Sequence, residues 1–317
     1  MTSQKRCTEV QLRRKLLGTA SALAALSAFQ IPTQALAADA SDSDWHLTLD
    51  IGGQYAFNSG GKTQYADFGS PEPRVGVANG GNGQIALNLE TDGWIFGLKF
   101  NFGRTGDAHN KASVYYSYYG YNYYSATGRV RHNENHKMLD FTVGQDVGLG
   151  MFGMEGSSVI SGGVRWANFS AETVGHFTYG NKYYYTSFNR ELHRTFNGVG
   201  PVISWAASTP VGDPGDNLSV DWGVDAAVLF GSRKAWEAGP SYDFSPRSKN
   251  ASVPQVDGYL GLGWHPTDSR FSFHAGYAIS ASWGLYDSNF DFDEDETRNS
   301  VNRISHGPYL DVTMQLR

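Results

Sequence analysis

Ten separate stretches of this 317-residue chain alternate apolar and polar side chains with a period of two. From Trp45 the odd positions are Trp45, Leu47, Leu49, Ile51, Gly53, Tyr55 and Phe57. The even positions are His46, Thr48, Asp50, Gly52, Gln54 and Ala56. Successive side chains of a strand point to opposite faces, so each stretch has one apolar and one polar face. A soluble sandwich would pack the apolar face on a second sheet. Here the leader and the connection lengths argue that it packs on lipid.

The other strands follow the same arithmetic. Ile85, Leu87 and Leu89 oppose Ala86, Asn88 and Glu90. An Asp92-Gly93 turn, a strong hairpin signal, leads to Trp94, Phe96, Leu98, Phe100 and Phe102 against Gly97, Lys99 and Asn101. Leu139, Phe141, Val143 and Val147 alternate with Asp140, Thr142, Gly144 and Asp146. Residues 158–169 are ambiguous: Ile160, Val164 and Trp166 share one parity, Val159, Arg165 and Phe169 the other. Later strands begin near Val199, Leu218, Val256, Phe271 and Ile304, with Asp221, Asp225, Asp257 and Asp311 on their polar parity.

Residues 1–37 read as a cleaved secretion signal, with a basic start at Lys5, Arg6 and Arg13 to Lys15. An apolar stretch and the small-residue exit Ala35-Leu36-Ala37 follow. Arg13-Arg14 resembles a twin-arginine signal, but a lipid-facing barrel must travel unfolded, so the Sec route is expected. Residues 38–317 are then a single domain. Cys7, the one cysteine, lies in the leader, which leaves no disulfide, thiol nucleophile or cysteine-held metal in the mature chain. Removing the leader's five basic and one acidic residue from 25 and 31 leaves 20 basic and 30 acidic, a net of −10. That balance disfavours nucleic acid as a partner. No mature segment has the apolar length of a membrane-spanning helix.

Connections alternate in length: long at about 58–82, 103–137, 171–194, 232–252 and 285–303, short at about 91–93, 149–157, 209–217 and 266–269. Outer-membrane barrels have long extracellular loops, short periplasmic turns and an even strand count. The expected fold is therefore an all-β, antiparallel, up-and-down transmembrane β-barrel of ten strands in the cell outer membrane. Both termini fall on the periplasmic side. Trp45, Trp94, Trp205, Trp264 and Phe271 form one expected interfacial girdle. Tyr55, Phe57, Phe102, Phe196, Phe230 and Trp283 form the other.

The stretches Phe196-Asn197-Gly198-Val199-Gly200-Pro201, Asp221-Trp222-Gly223 through Lys234, Gly258 to Leu262 and Gly307-Pro308-Tyr309-Leu310 resemble one family. It is the proteobacterial outer-membrane proteins grouped with the Legionella-type major outer membrane protein, and the likeness covers about residues 195–317. The resemblance implies a pore and supplies no catalytic residue. The chain departs from that family in lacking mature cysteines and in ending with Arg317, so a cross-linked oligomer is not carried over. The sequence sets no oligomeric state.

On the polar parity, expected to face the lumen, lie Asp50, Glu90, Asp140, Asp146, Asp221, Asp225, Asp257 and Asp311 against Lys99 and Arg165. An open path lined this way favours cations, which gives one functional expectation: a pore for passive passage of small solutes or ions. The same residues could instead pair into a polar core, because ten strands lie nearer the closed limit than sixteen. The second expectation is thus a non-conducting structural or surface-binding barrel. Its tyrosine-rich loop, with Tyr115, Tyr116, Tyr118, Tyr119, Tyr121, Tyr123 and Tyr124, would engage glycan, lipopolysaccharide or another cell. Outer-membrane lipid and lipopolysaccharide are the expected surroundings. Catalysis is not expected: His306 falls on the lipid parity, and His132, His136, His176 and His193 fall in loops. No cofactor or metal is expected, and Asp291, Asp293 and Asp295 read as a solvated acidic loop.

Overall fold

The computed structural model describes residues 45–64, 74–118, 122–148, 156–180, 185–212, 217–238, 244–267, 269–287 and 300–316. The leader, Tyr119, Tyr121 and the acidic stretch around Asp293 lie outside the described residues. The described strands are β1 (Trp45–Gly60), β2 (Thr63–Gln64), β3 (Arg74–Val75), β4 (Gly80–Thr91), β5 (Trp94–Thr105), β6 (Ala108–Tyr118) and β7 (Asn122–Asp146). They continue with β8 (Ser157–Gly180), β9 (Tyr185–Val211), β10 (Leu218–Ala238), β11 (Phe244–Trp264), β12 (Phe271–Asp287) and β13 (Ser300–Gln315). In the main sheet, β5, β4, β1, β13, β12, β11, β10, β9, β8 and β7 pair in that order, and β5 pairs with β7 to close a ring of ten. The expected antiparallel ten-stranded barrel is what forms. β6 carries on from β5 after Gly106 and Asp107, pairing with the outer part of β7.

Closure at the Asp92-Gly93 turn depends on left-handed backbone, φ 49° at Asp92 and 75° at Gly93, which asparagine-like side chains and glycine accept. At the other end, the three connections expected at 103–137, 171–194 and 232–252 are mostly strand. Strands β7 to β11 run 25, 24, 27, 21 and 21 residues, whereas a tilted crossing takes about 9–11. The excess stands above the membrane as a wall. A search for lipid-facing alternation stops where the outward side chains turn polar, although the pairing continues. Tyr115, Tyr116, Tyr118, Tyr123 and Tyr124 therefore occupy facing strands of a hairpin, with Tyr116 opposite Tyr124, rather than an irregular loop.

The outer surface is apolar through the crossing: Ile51, Leu98, Phe141, Val164, Ile203 and Leu262 are all exposed. In water such a belt would be a severe liability, and in lipid it is the solvated face. Trp166 faces outward and Arg165 and Phe169 inward, which resolves the ambiguous stretch. Phe196, expected in the outer girdle, points inward and is fully buried. It shares parity with Gly198 and Gly200, not with Val199.

The upper edge of the belt is sharp. Phe100, Leu139, Trp166, Val199 and Phe230 are neighbours along one cross-strand row. In the next outward row Phe102 is followed by Lys137, Asn168, Asn197 and Ser232. Trp166 donates its indole N–H to Asn197 Oδ1 at 2.9 Å, joining the two rows as an interfacial tryptophan does.

Candidate functional site

Interior side chains fill the lumen in three tiers. The lowest is polar. Asp50 accepts hydrogen bonds from Asn88 at 2.7 Å and Thr313 at 2.5 Å. Asp221 accepts from Ser208 at 2.5 Å and Ser219 at 2.9 Å, and its other oxygen lies 2.9 Å from His274 Nδ1. Glycine makes room here: a Cβ at Gly263 would sit 2.4 Å from Asp221 Oδ2 and from Ser219 Oγ. Asp311, 2% exposed, has neither carboxylate oxygen partnered among the described residues. Glu90 is half-buried nearby, while Asp146 is exposed and caps its turn by accepting from the Gly148 and Ser158 amides.

The middle tier crosses the barrel. Arg165, 1% exposed on β8, donates through Nε and NH2 to the two oxygens of Asp140 on β7, both at 2.9 Å. Its NH1 donates to Asp257 Oδ2 on β11 at 2.6 Å, and NH2 lies 3.5 Å from Asp225 on β10. Lys99 on β5 donates to Asp225 at 2.9 Å and lies 3.8 Å from Asp140. Two cations and three carboxylates from five strands thus meet inside the barrel, and β7 and β11 are separated by three intervening strands. A guanidinium forked onto a carboxylate is a rigid, charge-assisted contact, stronger than a neutral hydrogen bond.

Above the ion network the lumen holds an apolar cluster beside polar side chains such as Gln54, Asn82 and Ser280. Met138, Phe169, Phe196, Leu229, Val253 and Leu285 belong to one buried cluster. Val75 of β3 folds into a second with Val130, Phe177 and Leu192. Two small cavities remain between network and mouth. One of about 50 Å³ touches Lys99, Asn101, His136 and Asp257, and one of about 60 Å³ touches His136, Glu134 and Arg303.

At the mouth Arg303 Nε donates to Glu134 Oε2 at 2.7 Å and its NH2 to Oε1 at 2.5 Å. Burial opposes ionisation of Glu134, but hydrogen bonds from His132 and Arg303, with the Arg303 charge, hold its carboxyl down at about 2. Burial pushes His132 below its ordinary value against the pull of Glu134. A neutral His132 then donates Nε2–H to Glu134 at 2.8 Å and accepts at Nδ1 from Thr173 at 2.8 Å.

Lys99, Asp140, Arg165, Asp225 and Asp257 are brought together, and Asp50, Asp221 and Asp311 share the lower tier. Sequence reasoning missed Arg194, Arg303, His132 and Glu134 as interior groups because it stopped the strands too early. The signal was present: Val130, His132, Glu134, His136 and Met138 continue the parity of Asp140. Likewise Arg303 continues the parity of Asp311 and Tyr309.

Among solved structures, the outer membrane protease OmpT from Escherichia coli aligns at 10% identity over 87% of this chain and 98% of its own, with TM-score 0.49. The translocator domain of autotransporter NalP from Neisseria meningitidis aligns at 9% identity over 98% and 97%, TM-score 0.23. The toluene transporter TodX of P. putida aligns at 9% over 90% and 92%, TM-score 0.22. No curated protein matches this chain. The model of the Legionella pneumophila major outer membrane protein precursor matches residues 12–316, nearly the whole chain. With its lipid-facing belt and ring of ten strands, the chain belongs to that family of outer-membrane barrels.

Proposed function

We propose that the protein is a sealed outer-membrane barrel whose role is exercised at the rim it carries above the membrane. The observation that carries this reading is Arg165, fixed by carboxylates from β7 and β11 inside the lumen. The apolar cluster above it supports the same reading, because it narrows the path that ions need and desolvating an ion against it is costly. The rim has its own packed core around Val130, Phe177 and Leu192. It places a tyrosine-rich strand pair at the β6–β7 hairpin, suited to contact with surface glycan. His132 is buried with both ring nitrogens engaged, which speaks against hydrolytic chemistry at that residue.

Passive, cation-preferring passage of small solutes is the competing reading. The two cavities above the ion network and the surplus of lumen carboxylates favour it, and it requires Arg165 to leave its partners. Planar-bilayer recording separates the two. The sealed reading expects no steady steps over many insertions of folded protein. Reproducible single-channel steps would overturn it, and the reversal potential in a KCl gradient would then report the ion preference.

A further inference from the structure

Outward side chains in the crossing segments are uncharged, as lipid demands, since a charge at mid-bilayer costs several kcal/mol. On β5 and β7 the first outward charges above the belt are Arg104 and Lys137. Phe102 faces Lys137 and Arg104 faces Asn135, so Arg104 and Lys137 are diagonal neighbours on one face, a pair whose backbones typically lie about 7–8 Å apart. Both are exposed, and neither takes part in a hydrogen bond or ion pair among the described residues.

The amides around them are oriented as donors. Asn135 Oδ1 accepts from Ser170 Oγ at 2.6 Å, and Asn197 Oδ1 accepts from Trp166. Each asparagine therefore keeps its NH2 for an outside partner. The acids of this face lie farther out. There Arg131 sits 3.7 Å from Asp107 and 3.9 Å from Glu172, which offsets part of their charge. In a chain with a net charge of −6, two free cations beside free N–H donors, at the height of the lipid headgroups, form an anion site.

We infer that Arg104 and Lys137, with the Asn135 amide, hold a phosphate of the phosphorylated glycolipid that forms the outer leaflet around the barrel. Phosphate supplies several acceptor oxygens and enough charge to engage both cations at once. The acyl chains of the same molecule would lie on Phe102, Leu139 and Trp166 below. This site is independent of whether the lumen conducts.

The test uses the folded barrel in detergent with bis-phosphorylated lipid A, its dephosphorylated form as control, and native mass spectrometry as the readout. The Arg104→Gln/Lys137→Gln double variant should bind bis-phosphorylated lipid A at least tenfold more weakly than the unmodified protein. Each single variant should lose about threefold. Dephosphorylated lipid A should bind the unmodified protein and the double variant equally weakly. Lys111→Gln, an exposed charge higher on the rim, should leave binding unchanged. Heat-modifiable gel migration verifies that each variant is folded. Equal binding by the double variant, equal affinity for the dephosphorylated lipid, or an equal loss in Lys111→Gln would each overturn the assignment.

Discussion

Replacing Arg165 with Met keeps much of the side-chain volume but removes the cation that joins β7, β8 and β11. Asp140 loses a bidentate partner at 2.9 Å, and Asp257 loses a contact at 2.6 Å. Lys99 is then the one cation left in the network, facing Asp140, Asp225 and Asp257. Removing one member of a buried ion pair typically costs about 3–5 kcal/mol, because the remaining charge stays desolvated. At about 1.4 kcal/mol per tenfold, the folding equilibrium should fall by roughly two to three and a half orders of magnitude. Urea unfolding in detergent micelles, followed by tryptophan fluorescence and by gel migration with and without heating, reads this directly. The combination Arg165→Met/Asp140→Asn/Asp257→Asn leaves Lys99 with Asp225 at 2.9 Å and should recover most of the loss. If Arg165→Met alone unfolded at the midpoint of the unmodified protein, the lumen would be hydrated and the sealed reading would fail with it.

Asp311→Asn should raise the unfolding temperature at pH 8, by the equivalent of about 1–3 kcal/mol, because it relieves a buried carboxylate with no partner among the described residues. Lowered stability in thermal melts would show that the carboxylate is compensated. Acid should loosen the mouth. Glu134, held at about 2, contributes stability that is complete above about 4.3 and is lost as pH falls toward 2. His132, lowered by burial, contributes above about 6.5 and loses its contribution as pH falls below that. Hydrogen exchange of the β7–β8 amides at pH 7.5, 5 and 3 should show protection falling stepwise, and pH-independent protection would refute the linkage. Arg303→Gln should abolish the lower step while leaving the Trp166 girdle intact, as read from fluorescence in quencher-labelled lipid.

How much of this was legible depends on which face of a strand is asked about. Strand existence, direction and outward parity follow from residues such as Ile51, Leu98 and Ile203, because lipid tolerates no polar intruders and so writes a strict pattern. The lumen parity pointed to residues such as Asp140 and Asp257, which are buried inside, and to Asp146, which is exposed at a turn, but not to what any of them meets. Lys99 and Asp225 are 126 residues apart, and their pairing is set by strand order and stagger rather than by any local spacing. Asp140 and Arg165 are direct cross-strand neighbours once β7 and β8 pair, yet Arg165 lay in the stretch whose parity was ambiguous. Above the membrane the pattern weakens for a physical reason. Water accepts both polar and apolar outward residues there, so Arg131, Val174 and Glu191 succeed one another without a period. Phe196 was misplaced because an aromatic near a strand end fits both a girdle and a core, and only counting from Val199 distinguishes them.

The long sequence separations inside the lumen bear on how such a chain can assemble. Arg165 binds Asp257 across 92 residues, and Arg303 binds Glu134 across 169. No hairpin formed early in synthesis contains both partners of these contacts. Every intermediate with an open edge must therefore keep unneutralised interior charges, which are tolerable in water and costly in lipid. Insertion one hairpin at a time would carry the Asp140–Arg165 pair into hydrocarbon before its third partner, Asp257 on β11, arrives. Ring closure and membrane entry are thereby tied together, and folding should be a single slow, concerted step dominated by non-local pairing.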